Sequence, residues 1–160
     1  MRRTLAICTV VTALAAAAFA PLAEARMHGR PRPAPLAAAQ VQVSGTGAIT
    51  LSGGLAVVGT VGAGSGGRLS VVDMAGDARA TLNGRPVGRR GAVKVPNRGG
   101  SFYVKGSRVR VRVMGVSLSV SAAGRGRALF EGVGTYMLNG AAAQPWSNPP
   151  VTIELLPPGT

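Results

Sequence analysis

SRVRVRVMGVSLSVSA, residues 107–122, sets valine or leucine against arginine or serine at nearly every second position. That is the period of a β-strand with one buried and one solvated face. A two-residue reversal at Met114-Gly115 predicts two strands whose patterns agree in one register. Val113, Val111 and Val109 then oppose Val116, Leu118 and Val120 on the inner face, and Arg112, Arg110 and Arg108 oppose Ser117, Ser119 and Ser121 on the outer. Methionine suits the first position of a primed turn poorly, so a longer turn or a bulge is the alternative there.

The same alternation extends outward. From Gln40 on, short apolar-alternating runs are punctuated by Gly, Asn and Pro, and no stretch has the apolar spacing of an amphipathic helix. The predicted strands are 40–44, 48–52, 55–61, 69–73, 78–82, 92–95, 102–105, 108–113, 116–121, 128–131, 135–138 and 151–155. The fold class expected is all-β, an antiparallel β-sandwich or barrel of about 8–12 short strands. Thr50-Leu51-Ser52-Gly53, Thr81-Leu82-Asn83-Gly84 and Met137-Leu138-Asn139-Gly140 echo one another and admit a β-solenoid as the alternative. Their unequal spacing favours ordinary turn chemistry over a fixed repeat.

Ahead of this region, Arg2 and Arg3 precede an uncharged run from Thr4 to Phe19, the order of a signal peptide, with Ala23-Glu24-Ala25 as the cleavage site. The run is shorter than the roughly 20 apolar residues that span a bilayer, so no transmembrane helix is expected in the mature protein. Arg2-Arg3 matches a twin-arginine signal only loosely, and general secretion is the default. The expected organisation is a signal peptide over 1–25, a basic Pro/Ala-rich linker over 26–39, one β domain over 40–156 and a tail over 157–160. The linker opens RMHGRPRPAP, whose prolines exclude helix and central strand. The expected location is secreted, periplasmic or cell-surface. Cleavage removes the lone cysteine, Cys8, so the core must hold without a disulfide in a compartment that would permit one.

Charge is lopsided: 18 basic residues stand against 5 acidic, and loss of Arg2, Arg3 and Glu24 leaves 16 against 4, a net charge of +12. Such a surface attracts polyanions and loses that attraction as salt rises. Arg108, Arg110 and Arg112 form a stripe ~13 Å long, and Arg125 and Arg127 follow in a presumed turn; these five are the candidate anion-binding residues. Anionic envelope polymers or polysaccharide are the expected partners. Single-stranded nucleic acid calls for interleaved aromatics, which the stripe lacks, so no specific nucleic acid is expected.

Chemistry-bearing side chains are few. The mature sequence holds no cysteine, one histidine, His28, in the linker, and four carboxylates, Asp73, Asp77, Glu131 and Glu154. Neither a Ser-His-Asp triad nor a three-ligand zinc site is readily built from them, so no catalytic residue, metal or cofactor is expected. Gly62, Gly64 and Gly67 satisfy the dinucleotide-binding glycine pattern, but Arg68-Leu69-Ser70-Val71-Val72 follows and reads as strand rather than the helix that pattern needs. The terminal LPPGT differs from a wall-sorting signal in its last residues. The function expected is that of a non-enzymatic secreted or envelope-associated β protein with an Arg-rich face. Two alternatives are a small outer-membrane β-barrel and a carbohydrate-active enzyme using Asp73 or Glu131.

Overall fold

The computed structural model describes residues 38–88 and 90–157. The expected signal peptide, nearly all of the linker with His28, Arg89 and the last three residues lie outside them. The described residues form strands and loops with no helix, hence none long and apolar enough to cross a membrane.

Eight strands make one antiparallel sheet: β1 (Ala39–Val61), β2 (Arg68–Asp73), β3 (Arg79–Leu82), β4 (Arg85–Pro86), β5 (Arg90–Lys94), β6 (Gly100–Leu138), β7 (Gln144–Trp146) and β8 (Val151–Leu155). β1 and β6, 23 and 39 residues long, dominate it. They pair with each other twice. In one ladder Gln42 faces Ser121 and Val57 faces Val104; in the other Gln42 faces Met137 and Val58 faces Ser121. Ser121 is therefore flanked by Gln42 on one side and Val58 on the other. Sixteen residues of extended chain would span roughly 53 Å, whereas two strands flanking a third stand about 10 Å apart. Both long strands must therefore curl, and the sheet curls with them.

Glycine supplies the bends. Gly47 faces Gly132 across the ladder and Gly53 faces Gly126, and at each of these four positions a Cβ would run into a backbone carbonyl of the opposite strand. Gly47 and Gly132 also hold φ of 141° and 123°, values that side-chain-bearing residues rarely adopt. β6 carries one extra residue relative to β1 at 116–117 and again at 107–108, two bulges that sharpen the turn of the strand. Ser117, at φ 47°, donates its N–H to Thr46 Oγ1 at 3.3 Å.

The curling divides the sheet into two leaves. One combines residues 39–45, 55–61, 100–106, 118–124 and 133–138 with β3, β4 and β7. The other combines 47–53, 109–115 and 126–132 with β2, β5 and β8. Their inner faces share one core that includes Val41, Ile49, Leu51, Val57, Val71, Val104, Val111, Leu118, Phe130 and Leu155, each buried. Burying an aliphatic side chain of this kind contributes about 1.5–3 kcal/mol. Trp146 is buried against Gly45 and Gly134, where an added Cβ would strike the indole, and its ring lies 5.8 Å from that of Phe130.

The fold is all-β and antiparallel, as the alternation implies, and its ladders are not those of stacked solenoid coils. Two expectations are corrected. The strands are not uniformly short: 40–44, 48–52 and 55–61 are stretches of β1, and five of the other predicted runs are stretches of β6. The Met114-Gly115 hairpin does not form. Residues 109–115 and 118–124 continue in one direction along β1, so Val111 pairs with Leu51 and Val71, and Leu118 pairs with Gly45. Val109, Val111, Val113, Leu118 and Val120 turn inward and the arginines outward as predicted, because a bulge and a two-residue turn preserve the same alternation on either side; Val116, also expected inside, lies in the bulge and is exposed. The serine partners of the arginines are not.

Candidate functional site

The second leaf turns its outer face to solvent in rows that cross six strands. Antiparallel partners share a face, so the rows follow from the register. One row reads Arg90, Val72, Arg110, Ser52, Arg127, Glu154; the next reads Ala92, Ser70, Arg112, Thr50, Leu129, Thr152; the third reads Lys94, Arg68, Met114, Ala48, Glu131. Six cations, Arg68, Arg90, Lys94, Arg110, Arg112 and Arg127, thus face two carboxylates across roughly 24 Å of sheet.

The alternation in each strand explains the placement: Leu69 and Val71 turn inward and present Arg68, while Val109, Val111 and Val113 turn inward and present Arg110 and Arg112. Two ion pairs cross the leaf. Arg127 Nε and Nη2 reach Glu154 Oε1 at 2.8 and 2.7 Å, and Arg112 Nη2 stands 3.0 Å from Glu131 Oε2 in a contact poorly aligned for a hydrogen bond. Both pairs are more than a third exposed, and each contributes about 0.2–1 kcal/mol.

Among the described residues Arg68, Arg90, Lys94, Arg110 and Arg125 form no ion pair. Arg110, Arg125 and Arg127 meet around Ser52 and Glu154 in an open cleft of about 450 Å³. Arg68 and Lys94 stand directly opposite each other across the β2–β5 ladder, an unfavourable pairing of like charges that a bound anion would relieve.

Of the five arginines singled out in the sequence, the structure brings Arg110, Arg125 and Arg127 to one cleft. Arg112 is held by Glu131, and Arg108 sits at the bulge, where its carbonyl accepts the Met74 N–H at 2.9 Å. The direct neighbours of Arg110 are Ser52 and Val72, and those of Arg112 are Thr50 and Ser70. Sequence reasoning placed Arg90 in a presumed turn that could converge on the stripe, and it lies in β5 on this face; it missed Arg68 and Lys94, whose only local signal is alternation with Leu69, Val71 and Val93.

The carboxylates among the described residues are all engaged. Asp73, 3% exposed, accepts the N–H groups of Ala75, Gly76 and Ala78 at 3.1, 2.7 and 2.9 Å and so organises the turn into β3. Asp77 accepts the Ser107 N–H with both oxygens at 3.1 and 3.0 Å. No group of three His, Cys, Asp or Glu residues able to hold a metal occurs among the described residues. Gly62, Gly64 and Gly67 lie in the loop between β1 and β2, where the Gly62 and Gly64 N–H groups donate to the carbonyls of Val116 and Asn97, and strand β2 follows. Searches against protein-family models, curated proteins and solved structures match nothing to this chain.

Proposed function

We propose that this is a non-enzymatic β protein of the cell envelope or exterior that associates with anionic polymers through the outer face of its second leaf. The observation that carries the reading is the crowding of six cations against two carboxylates on that face, with Arg68 and Lys94 opposed and unneutralised. A merely solvated face would gain from interspersed acids, because like charges placed opposite each other cost stability. Binding rather than catalysis is supported by the carboxylates: each has a hydrogen-bond or ion-pair partner that occupies it. A membrane barrel would turn an apolar band outward; here the apolar core fills the inside, and the exposed large apolar residues in the outer rows of the second leaf, Val72 and Met114, stand among six cations and two carboxylates rather than in a band.

Retention on heparin against a salt gradient tests this. The triple variant Arg68→Ser, Arg90→Ser, Arg110→Ser is expected to elute at clearly lower salt than wild type, since attraction between exposed charges is what salt screens. Arg85→Ser with Arg98→Ser, in positions off this leaf, is the charge control and is expected to shift elution much less. Shifts in proportion to the charges removed, three against two, would reduce the attraction to net charge and defeat the proposal.

A further inference from the structure

The first leaf has a different surface. Its central strand, residues 118–124, presents Ser119, Ser121 and Ala123 outward, flanked by Gln40, Gln42 and Ser44 on one side and by Ala56, Val58 and Thr60 on the other. Beyond the latter come Ser101, Tyr103 and Lys105, then Arg79 and Thr81. The smallest side chains run down the middle and longer ones rise beside them, so the leaf carries a shallow trough along the strand.

Three clefts join end to end in it. The largest, about 640 Å³, has Gly54, Ala56 and Ala123 among its lining, with Tyr103, Lys105, Arg79 and Asp77 beside them. It shares Ala56 and Ala123 with a cleft of about 240 Å³ at Gln40, Gln42 and Ser121, which shares Val58 and Ser121 with a third of about 310 Å³ at Thr60 and Ser101.

The chemistry of the lining narrows the occupant. Hydroxyl and amide groups suit a ligand rich in hydroxyls, and the cross-strand pair Val58 and Tyr103, 49% and 38% exposed, offers an apolar platform on which the C–H face of a sugar ring can lie. At one end Arg79 and Lys105 stand directly opposite each other across the β3–β6 ladder with no ion pair. Two cations so placed repel and would be relieved by an anionic group of the ligand. Asp77 lines the same end, where it shares the Ser107 N–H between its oxygens, so two cations stand there against one carboxylate.

We infer that the trough is a binding site for a linear acidic polysaccharide, a polyuronate, whose sugars lie along residues 119–123 and whose carboxylate meets Arg79 and Lys105. The site is independent of the basic leaf and uses none of its side chains. At ~13 Å along the strand between Ser119 and Ala123, with the terminal clefts beyond, it takes several sugars of an extended chain.

Calorimetric titration of the mature protein with an oligogalacturonate at physiological salt tests the inference. Wild type and the Arg68, Arg90, Arg110 triple Ser variant are expected to bind alike. Tyr103→Ala is expected to weaken binding about tenfold, as loss of a base-stacking aromatic does in other polymer sites. Ser121→Tyr, which fills the trough from an exposed position, is expected to abolish binding with circular dichroism unchanged. Lys105→Glu turns a repulsive pair into an attractive one, so it should unfold at a higher temperature than wild type while binding more weakly. Wild-type affinity in Tyr103→Ala and Ser121→Tyr would overturn the site. Loss of binding in the triple variant would transfer it to the other leaf, and equal affinity for a neutral cello-oligosaccharide would overturn the acidic ligand.

Discussion

Gly47 and Gly132 meet face to face where the two long strands bend together, as do Gly53 and Gly126. At these points the opposite backbone occupies the volume that a methyl group would need. Gly91, on the edge strand β5, has open space around its missing Cβ and an ordinary backbone angle. The two kinds of glycine separate on substitution. Gly47→Ala and Gly126→Ala are each expected to lose about 1–3 kcal/mol of unfolding free energy, read by urea denaturation. Gly91→Ala is expected to stay within about 0.5 kcal/mol of wild type. Equal losses at all three positions would mean that the close approach at the bends does not shape the fold.

At the scale of the element, β2 and β5 illustrate a strand pair whose surface works against its own stability. Lys94→Glu would set a carboxylate opposite Arg68 and is expected to raise unfolding free energy by about 0.2–1 kcal/mol, while lowering the salt at which the protein leaves heparin. Opposite signs for the two measurements are the mark of a surface arranged for a ligand. Elements were also where the sequence was most and least legible. Alternation located nearly every extended segment and its inward side, because burial of Val109, Val111 and Val113 is a local pattern. Whether a glycine ends a strand or bends it was not visible. Asn83-Gly84 and Asn139-Gly140 turn the chain with both residues at positive φ, 51° and 75°, then 51° and 74°, which asparagine tolerates. Ser52-Gly53 and Met114-Gly115 lack that asparagine, and there the strand runs on. The short β4 and β7 carry too few residues to show a period. The full basic face was hidden for another reason: bringing Arg90 and Arg110 into one row depends on pairing through Val72, a non-local event that no local pattern records.

Across the whole molecule, the two long strands β1 and β6 serve both leaves. β1 pairs with β6 along both of its edges, joining residues as far apart in sequence as Val41 and Leu138. Removing β1 therefore takes away the middle of the sheet rather than a border. A chain of residues 62–157 is expected to lack β-sheet circular dichroism, whereas the chain from residue 26 onward should show it and refold in the millisecond-to-second range typical of non-local β topologies. A folded 62–157 fragment would refute the central role given to β1. The same arrangement separates two chemistries on the outer faces of the two leaves, guanidinium groups on one and hydroxyls with an aromatic platform on the other, so the two proposed polymer sites would share no side chain.

The double pairing also limits how the chain can change length. Residues 119–124 must fit the beginning of β1 along one border and its end along the other, sixteen positions apart; for β6 the matching offset grows from sixteen at Gln42, which faces Ser121 and Met137, to eighteen at Leu55, which faces Gly106 and Gly124. One amino acid added between 46 and 54 would shift one seam against the other and turn half of the interior side chains toward water. Insertions and deletions should accordingly be tolerated in reversals such as 63–66 and 140–143 rather than in the long strands or in the Asp73-organised turn at 74–77, and peptide tags or fusion partners belong in those reversals.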